Sequence, residues 1–204
     1  MRRFLRAAGS ATLTAGVVCQ FVQHTDPTPP LAYFTVWSAI FGALVLALAA
    51  FSAPSLPAAI RGAATVGCVV SGLIFAAVIT PATPTGTWTQ PGDDGWVRTA
   101  NVMLHGIGPV LIAAEFAITP IRVTRPWCQA GLGCIWPAVY IVAAFSLQAA
   151  DVTPVPYPFL NPSRSAPEMV AVAVVGLVGV FLVTGRILVA VNSLACRQMR
   201  VVPA

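Results

Sequence analysis

Apolar residues dominate the chain in six long runs, separated by short segments rich in proline and glycine. A helix needs about 20 consecutive apolar residues to cross the hydrocarbon core of a bilayer. Each of the six runs is close to that length, and the third and fifth are the short ones. The sequence therefore predicts six transmembrane helices, at about residues 4–23, 32–53, 62–80, 97–119, 132–150 and 168–194.

The composition agrees with a membrane protein. Hydrophobic residues make up 57% of the chain and charged residues only 8%, with a mean hydropathy of +0.84. Water-soluble domains normally carry about a quarter charged residues. The length of 204 residues fits one compact bundle. We therefore expect an all-α integral membrane bundle of six transmembrane helices that forms a single domain over residues 1–204.

The basic residues predict the orientation of this bundle. All eleven are arginines, and they form no basic helix face or nucleic-acid-binding motif, so we expect no nucleic-acid partner. Cytoplasmic loops of membrane proteins are enriched in basic residues. Eight arginines fall at one end of the predicted bundle: Arg2, Arg3, Arg6, Arg61, Arg122, Arg125, Arg197 and Arg200. We expect a multi-pass protein of a bacterial plasma membrane with both termini in the cytoplasm.

The first run has an alternative interpretation as a cleaved signal peptide, because it follows three arginines. We find no convincing small-residue cleavage site after it, so we expect it to be retained as a membrane span.

Three ionisable residues lie in or near the predicted spans, namely His105, Glu115 and Arg186. An ionisable group in hydrocarbon is costly and is a functional candidate for that reason. Glu115 and Arg186 both fall toward the cytoplasmic third, and we expect them to form a structural ion pair. Extension of Arg186 to the membrane interface is the alternative.

His105 shares one face of the fourth predicted helix with Asn101, because residues four apart lie one above the other. We expect the Asn101 amide to orient the imidazole. Pro109 follows four residues later, removes the usual donor to the His105 carbonyl and favours a kink. These features fit a cavity wall. A histidine that only bonds a neighbouring helix explains them equally well.

Two further segments belong to the same side of the predicted bundle. Thr35 and Ser38 begin the second span and face the same way, although both hydroxyls could simply bond to their own helix. The loop before the sixth span contains five prolines around the apolar stretch 157–160. We expect this loop to pack back onto the mouth of the bundle and to cap a cavity.

These residues carry a family resemblance. Three segments recur in order and at similar spacing, namely Tyr33–Ser38, Asn101–Pro109 and Tyr157–Asn161. With them the chain resembles the bacterial six-span membrane proteins related to the androgen-induced and androgen-dependent transmembrane hydrolases. The resemblance implies a threonine nucleophile and a histidine partner, at Thr35 and His105. Characterised vertebrate relatives hydrolyse fatty acid esters of hydroxy fatty acids. The chain departs from the bacterial branch at three places: Ala39, the pair Glu115 and Phe116, and Asn161.

The leading hypothesis is therefore an intramembrane esterase that takes a hydrophobic ester from the membrane lipid. His105 would accept the Thr35 proton and return it to the leaving alcohol. We expect no metal, no redox cofactor and no protein partner. Four other residues are expected to support the pair or to bind substrate: Asn101, Ser38, Tyr157 and Pro109.

The pair sets a geometric condition, because Thr35 lies ~5 Å and His105 ~12 Å below the helix ends. Helix tilts of about 20° are common enough to remove this offset. Two alternatives from other classes remain. One is a non-catalytic lipid-binding or small-molecule transport protein, and the other is a haem protein that uses His24 and His105.

Overall fold

The computed structural model describes residues 1–51, 56–121 and 125–201 of the chain. Over these ranges the structure is all-helical, and six helices are long and apolar enough to cross a membrane. The predicted six-helix transmembrane bundle is therefore confirmed. The helices are α1 (Arg2–Val22), α2 (Phe34–Phe51), α3 (Ala58–Ala82), α4 (Gly95–Ile118), α5 (Pro126–Ala149) and α6 (Pro167–Val201).

Prolines mark the beginning of three helices, although the sequence pattern assigns them to loops. Pro57 is the residue before the first turn of α3, and Pro126 and Pro167 are the first residues of α5 and α6. Proline is favoured in a first turn, because the N–H that it lacks would have no acceptor there. As a result α3 and α5 are 25 and 24 residues long, and the prediction that the third and fifth spans are short is wrong.

The connections α1–α2, α3–α4 and α5–α6 meet at one end of the bundle, here called the mouth end. Asp94 caps α4 by accepting the N–H groups of Trp96 and Val97 at 2.8 Å each. Its other oxygen accepts the N–H of His24 at 2.8 Å, and its own N–H donates to Thr25 Oγ1 at 3.0 Å. These backbone donors, His24 first among them, lower the pKa of Asp94. The first two mouth loops are thus joined to each other.

The proline-rich third loop packs back onto the bundle. Val155, Tyr157 and Leu160 are buried, and they pack into one apolar cluster with residues of α2, α5 and α6. Asn161 is also buried and fixes the loop by donating from Nδ2 to the Val155 carbonyl at 3.0 Å. The loop therefore forms one wall of the mouth end.

The opposite end, here called the terminal end, is where α1 begins and α6 ends. Glu115 of α4 accepts hydrogen bonds from Arg6 Nε of α1 at 2.7 Å and from Arg61 Nη2 of α3 at 2.8 Å. Thr119 adds a third bond to the same carboxylate at 2.9 Å. Arg61 lies inside α3 and is only 3% exposed, although the sequence pattern places it in a loop.

The predicted ion pair between Glu115 and Arg186 is therefore wrong. Arg186 lies instead over the Trp127 ring, 4.9 Å from its centroid, in a cation–π contact. Residue spacing shows which face of α4 carries Glu115, but not which helices pack against that face. Those helices are α1 and α3, whereas Arg186 of α6 faces the first turn of α5.

Candidate functional site

α3 and α4 each contain one π-helical turn, at Phe75–Ile79 and Met103–Ile107. In α4, Pro109 has no N–H to offer to the His105 carbonyl. The N–H of Gly108 instead reaches back five residues to the Met103 carbonyl. Such widened turns occur frequently at functional sites. His105 lies in the middle of the turn in α4, and Phe75 begins the one in α3.

The two helices approach closely at these turns because α3 has a glycine at the point of contact. A β-carbon at Gly72 would lie only 2.7 Å from the His105 carbonyl oxygen. The His105 ring stacks face to face on Phe75, with 3.8 Å between ring centroids and 5° between planes. Nδ1 of His105 is buried and has no hydrogen-bond partner among the described residues. Four other buried side-chain atoms in the described ranges also lack a partner, and they belong to Thr80, Gln129, Thr153 and Arg186. Such atoms are rare in folded proteins, and among these five groups the imidazole is the one that can act as a base.

Thr35 lies beside the same stretch of α3. It is the second residue of α2, and its Oγ1 is 2.7 Å from Oγ of Ser71, with either hydroxyl able to donate. Ser71 is buried and directly precedes Gly72, the residue that contacts His105. The sequence pattern does not single out Ser71, because a serine next to a glycine in an apolar span is typical of ordinary helix packing.

Tyr157 brings a third hydroxyl to this point from the proline-rich loop. Its oxygen accepts the N–H of Phe34 at 3.0 Å, next to the side chain and N–H of Thr35. Burial raises the pKa of Tyr157 to about 12, so the hydroxyl keeps its proton at neutral pH. Since its oxygen accepts from Phe34, its own hydrogen is available to donate.

A cavity of about 410 Å³ lies at the mouth end between the first two mouth loops, α3 and α4. Its walls include Thr35, His105, Asn101 and Tyr157. Four residues selected from the sequence therefore line one space. We call this space the polar cavity, because aspartate, threonine and glutamine side chains also line it.

A second space of about 50 Å³ lies between α2, α3, α5 and α6. Its lining is almost entirely apolar and includes Ile74, Leu177 and Phe181, and we call it the apolar cavity. Thr35 and Tyr157 line both spaces. The Thr35 side chain therefore stands at the boundary between a polar and an apolar compartment.

Three residues expected to support the pair lie elsewhere or bond to other groups. Asn101 donates from Nδ2 to the Trp88 carbonyl at 2.9 Å and so holds the second mouth loop instead of the imidazole. Ser38 is fully buried away from both cavities and accepts a bond from Trp136 Nε1 at 3.2 Å. Pro109 is buried against α3 and acts on His105 only through the backbone of the π turn.

The histidines do not form a pair in the described residues. His24 is exposed in the first mouth loop and His105 is stacked on Phe75. No cluster of three or more histidine, cysteine or acidic side chains with metal-binding geometry occurs in the ranges 1–51, 56–121 and 125–201. Comparison of the chain with protein-family models, with curated proteins and with solved structures gave no match.

Proposed function

We propose that the chain is an intramembrane hydrolase of lipid esters, with Thr35 as the nucleophile and His105 as the general base. One observation carries this proposal. The Thr35 hydroxyl and an imidazole whose buried Nδ1 lacks a partner in the described ranges line the same cavity. A threonine hydroxyl is a weak nucleophile unless a nearby base removes its proton.

The first half-reaction breaks the ester bond. Thr35 Oγ1 attacks the ester carbonyl carbon while its proton passes to the His105 imidazole. Oγ1 bonds to Ser71 Oγ at 2.7 Å, so the Thr35 side chain has to turn toward the polar cavity before it attacks the ester. The tetrahedral intermediate then collapses and expels the alcohol, which takes the proton from His105. The acyl group remains on Thr35.

The second half-reaction restores the enzyme. A water molecule in the polar cavity gives a proton to His105 and attacks the acyl-threonine carbonyl. Collapse returns the proton to Oγ1 and releases the carboxylic acid. The net reaction is ester plus water to acid plus alcohol, without any cofactor.

Two donors next to Thr35 are suited to stabilise the oxyanion. One is the Tyr157 hydroxyl, which stays protonated at neutral pH. The other is the N–H of Thr35 itself, which lies in the first turn of α2, where N–H groups have no acceptor within the helix. Donors that point at the position of the developing charge typically contribute about 10²–10³ in rate.

The two cavities suggest how the ester is oriented. The apolar cavity suits the first carbons of the acyl chain, because its walls offer almost no polar partner and its volume of about 50 Å³ holds a short alkyl segment. The polar cavity suits the alcohol part and the attacking water. Thr35 at the boundary then faces the carbonyl carbon that joins the two parts.

The test uses the purified protein in detergent with a panel of esters that differ in acyl length. Thr35→Ala and His105→Ala are each expected to lower kcat/KM by about 10²–10⁴. Matched controls are Thr99→Ala, at a half-buried threonine of α4 that lines neither cavity, and His24→Ala, at the other histidine of the chain. Both controls should retain wild-type rates. Equal rates in Thr35→Ala and wild type would contradict the proposal.

The second candidate is a lipid-binding or transport protein without catalysis. The observation that favours it is the bond from Thr35 to Ser71, which leaves Thr35 and His105 without a direct hydrogen bond between them. This candidate predicts that a long-chain ester binds to the protein and is recovered intact. Lipid extraction and mass spectrometry after incubation separate the two candidates.

A further inference from the structure

The polar cavity is negatively charged. Asp26 of the first mouth loop and Asp93 of the second both line it, and no arginine does. Lysine does not occur in the chain. In the described part of the chain, the ion pairs are those of Glu115 at the terminal end, so neither aspartate has a cationic partner there. A ligand in this cavity therefore meets two carboxylates that take part in no ion pair within the described residues.

Neutral donors hold both carboxylates in place. Asp26 accepts the Tyr33 hydroxyl at 2.7 Å and the N–H of Thr28 at 2.9 Å. Asp93 accepts the N–H of Gln90 at 2.7 Å. These bonds fix the position of the charges without neutralising them. Both side chains are half-buried, so their field is screened less than that of a surface aspartate.

The nearest arginine on these elements is used by the backbone of the second mouth loop. Arg98 donates from Nε to the Asp93 carbonyl at 3.0 Å and makes longer contacts from Nη2 to the carbonyls of Gln90 and Pro91. It is exposed and is not part of the cavity wall. His24 is exposed as well and does not line the cavity.

Aromatic rings make up much of the remaining wall. Tyr33, Phe75, Trp88 and Tyr157 all line the polar cavity. Trp88 meets Phe75 edge to face at 5.5 Å, and Phe75 in turn stacks on His105, so the rings continue from the imidazole toward the second mouth loop. Aromatic faces attract cations, and clusters of them recognise quaternary ammonium groups.

From the carboxylates and the rings together, we infer that the alcohol part of the substrate carries an alkylammonium group, which the polar cavity binds. This inference rests on the proposed function, because it names the alcohol that His105 would protonate. It also disfavours a substrate with a free carboxylate in this cavity, such as an ester of a hydroxy fatty acid, since Asp26 and Asp93 would repel it.

The test compares three esters with the same butyryl group. Their alcohols are choline, the uncharged isostere 3,3-dimethylbutan-1-ol, and a hydroxy acid of similar length. Wild-type kcat/KM should be about tenfold higher for the choline ester than for its isostere, and lowest for the carboxylate. Asp26→Asn and Asp93→Asn should each bring the ratio of choline ester to isostere closer to one. Asp151→Asn, at an exposed aspartate outside the cavity, should keep the wild-type ratio.

The outcomes separate this inference from the proposed function. Hydrolysis of all three esters at similar rates supports the hydrolase and overturns the ammonium site. A choline preference that neither aspartate variant reduces also overturns the site. If no ester is cleaved, the proposed function fails. Calorimetric titrations of the protein with choline and with 3,3-dimethylbutan-1-ol then show whether the cavity prefers the cationic alcohol. Equal or absent binding of the two alcohols would overturn the ammonium site.

Discussion

Two ionisable groups inside the bundle, the Glu115 carboxylate and the His105 imidazole, differ in how completely their hydrogen bonds are satisfied. At the terminal end, both oxygens of Glu115 accept bonds, from Arg6, Arg61 and Thr119. At the mouth end, Nδ1 of His105 is buried and has no partner in the described part of the chain. A charge cluster in hydrocarbon is tolerated when its members pair with one another. The Glu115 cluster is therefore explained by structure alone, whereas the imidazole is not.

This difference gives a criterion for reading polar residues in membrane spans. Both regions contain costly groups, so the cost of burial does not distinguish structure from function. Contact with a cavity does distinguish them. His105 lines a space of about 410 Å³ with Thr35 and Tyr157, whereas Glu115 lines none of the described cavities.

The largest expected effect is on activity at the mouth end. His105→Leu should lower kcat/KM by about 10³ for any ester that the wild type hydrolyses, because the variant lacks the proposed general base. Its melting temperature should stay equal to wild type or rise, since the buried unpaired nitrogen is replaced by a methyl group of similar position. Steady-state kinetics and thermal unfolding in detergent measure the two quantities. If His105→Leu lost much stability and kept full activity, His105 would be a structural residue and not a catalytic one.

The next largest effect is on stability at the terminal end. Glu115→Gln should destabilise the protein by about 3–5 kcal/mol, because Arg6 and Arg61 keep their charges without a counterion. Unfolding by denaturing detergent measures this difference. Glu168→Gln, at an exposed glutamate in the first turn of α6, is the matched control and should change stability little. Wild-type stability in Glu115→Gln would show that the ion cluster is not structural.

Ser71 of α3 bonds to Thr35 and directly precedes Gly72, which contacts His105. Ser71→Ala should raise kcat about tenfold, because the Thr35 hydroxyl no longer has to leave its hydrogen bond to Ser71 before it attacks the ester. Thr65→Ala is the control, since this buried hydroxyl of the same helix bonds only to its own backbone. An unchanged kcat in Ser71→Ala would remove Ser71 from the site.

Acyl-chain length should depend on the apolar cavity. Phe181 is buried and meets Phe34 edge to face at 5.7 Å, so Phe181→Ala lengthens the space beyond Thr35. Each additional buried methylene is worth about 0.8 kcal/mol, which predicts about a fourfold gain per carbon for longer esters in the variant. Rates across a homologous ester series measure this shift. The exposed Val183→Ala should leave the length preference unchanged, and an equal preference in Phe181→Ala would place the acyl chain elsewhere.

The smallest effect concerns the cap that joins the first two mouth loops. Hydrogen bonds lower the pKa of Asp94 in the folded chain. Its contribution to stability is therefore present above the unfolded pKa and is lost as the pH falls through the folded pKa. Asp94→Ala should lower the melting temperature at pH 7 and much less at strongly acidic pH. A pH-independent difference would show that the charge of Asp94 does not contribute.

The six spans could be predicted because a helix that crosses lipid needs a long run of apolar residues. Such a run can be recognised from its own segment of the sequence, without knowledge of the other helices. The predicted first residues of the helices were less accurate. Proline is typical of loops, whereas Pro57 and Pro126 lie at helix N-termini. Proline has both uses, and only the path of the following chain distinguishes them.

The candidate site was partly predictable for a similar reason. Spacing along α4 places Asn101 and His105 on one face, and both line the polar cavity. Spacing does not say which atom a side chain bonds to, so Asn101 bonds to the Trp88 carbonyl and Glu115 to Arg6 and Arg61. Partners on other helices depend on the packing of the whole bundle, which no local pattern encodes.

The most direct test of the central claim is to locate the covalent adduct of a long-chain fluorophosphonate by mass spectrometry. The account predicts one adduct, on the Thr35 hydroxyl, that is lost in His105→Leu and retained in His24→Ala. An adduct on Ser71, an adduct on Thr35 that persists without His105, or no adduct at all would contradict the account.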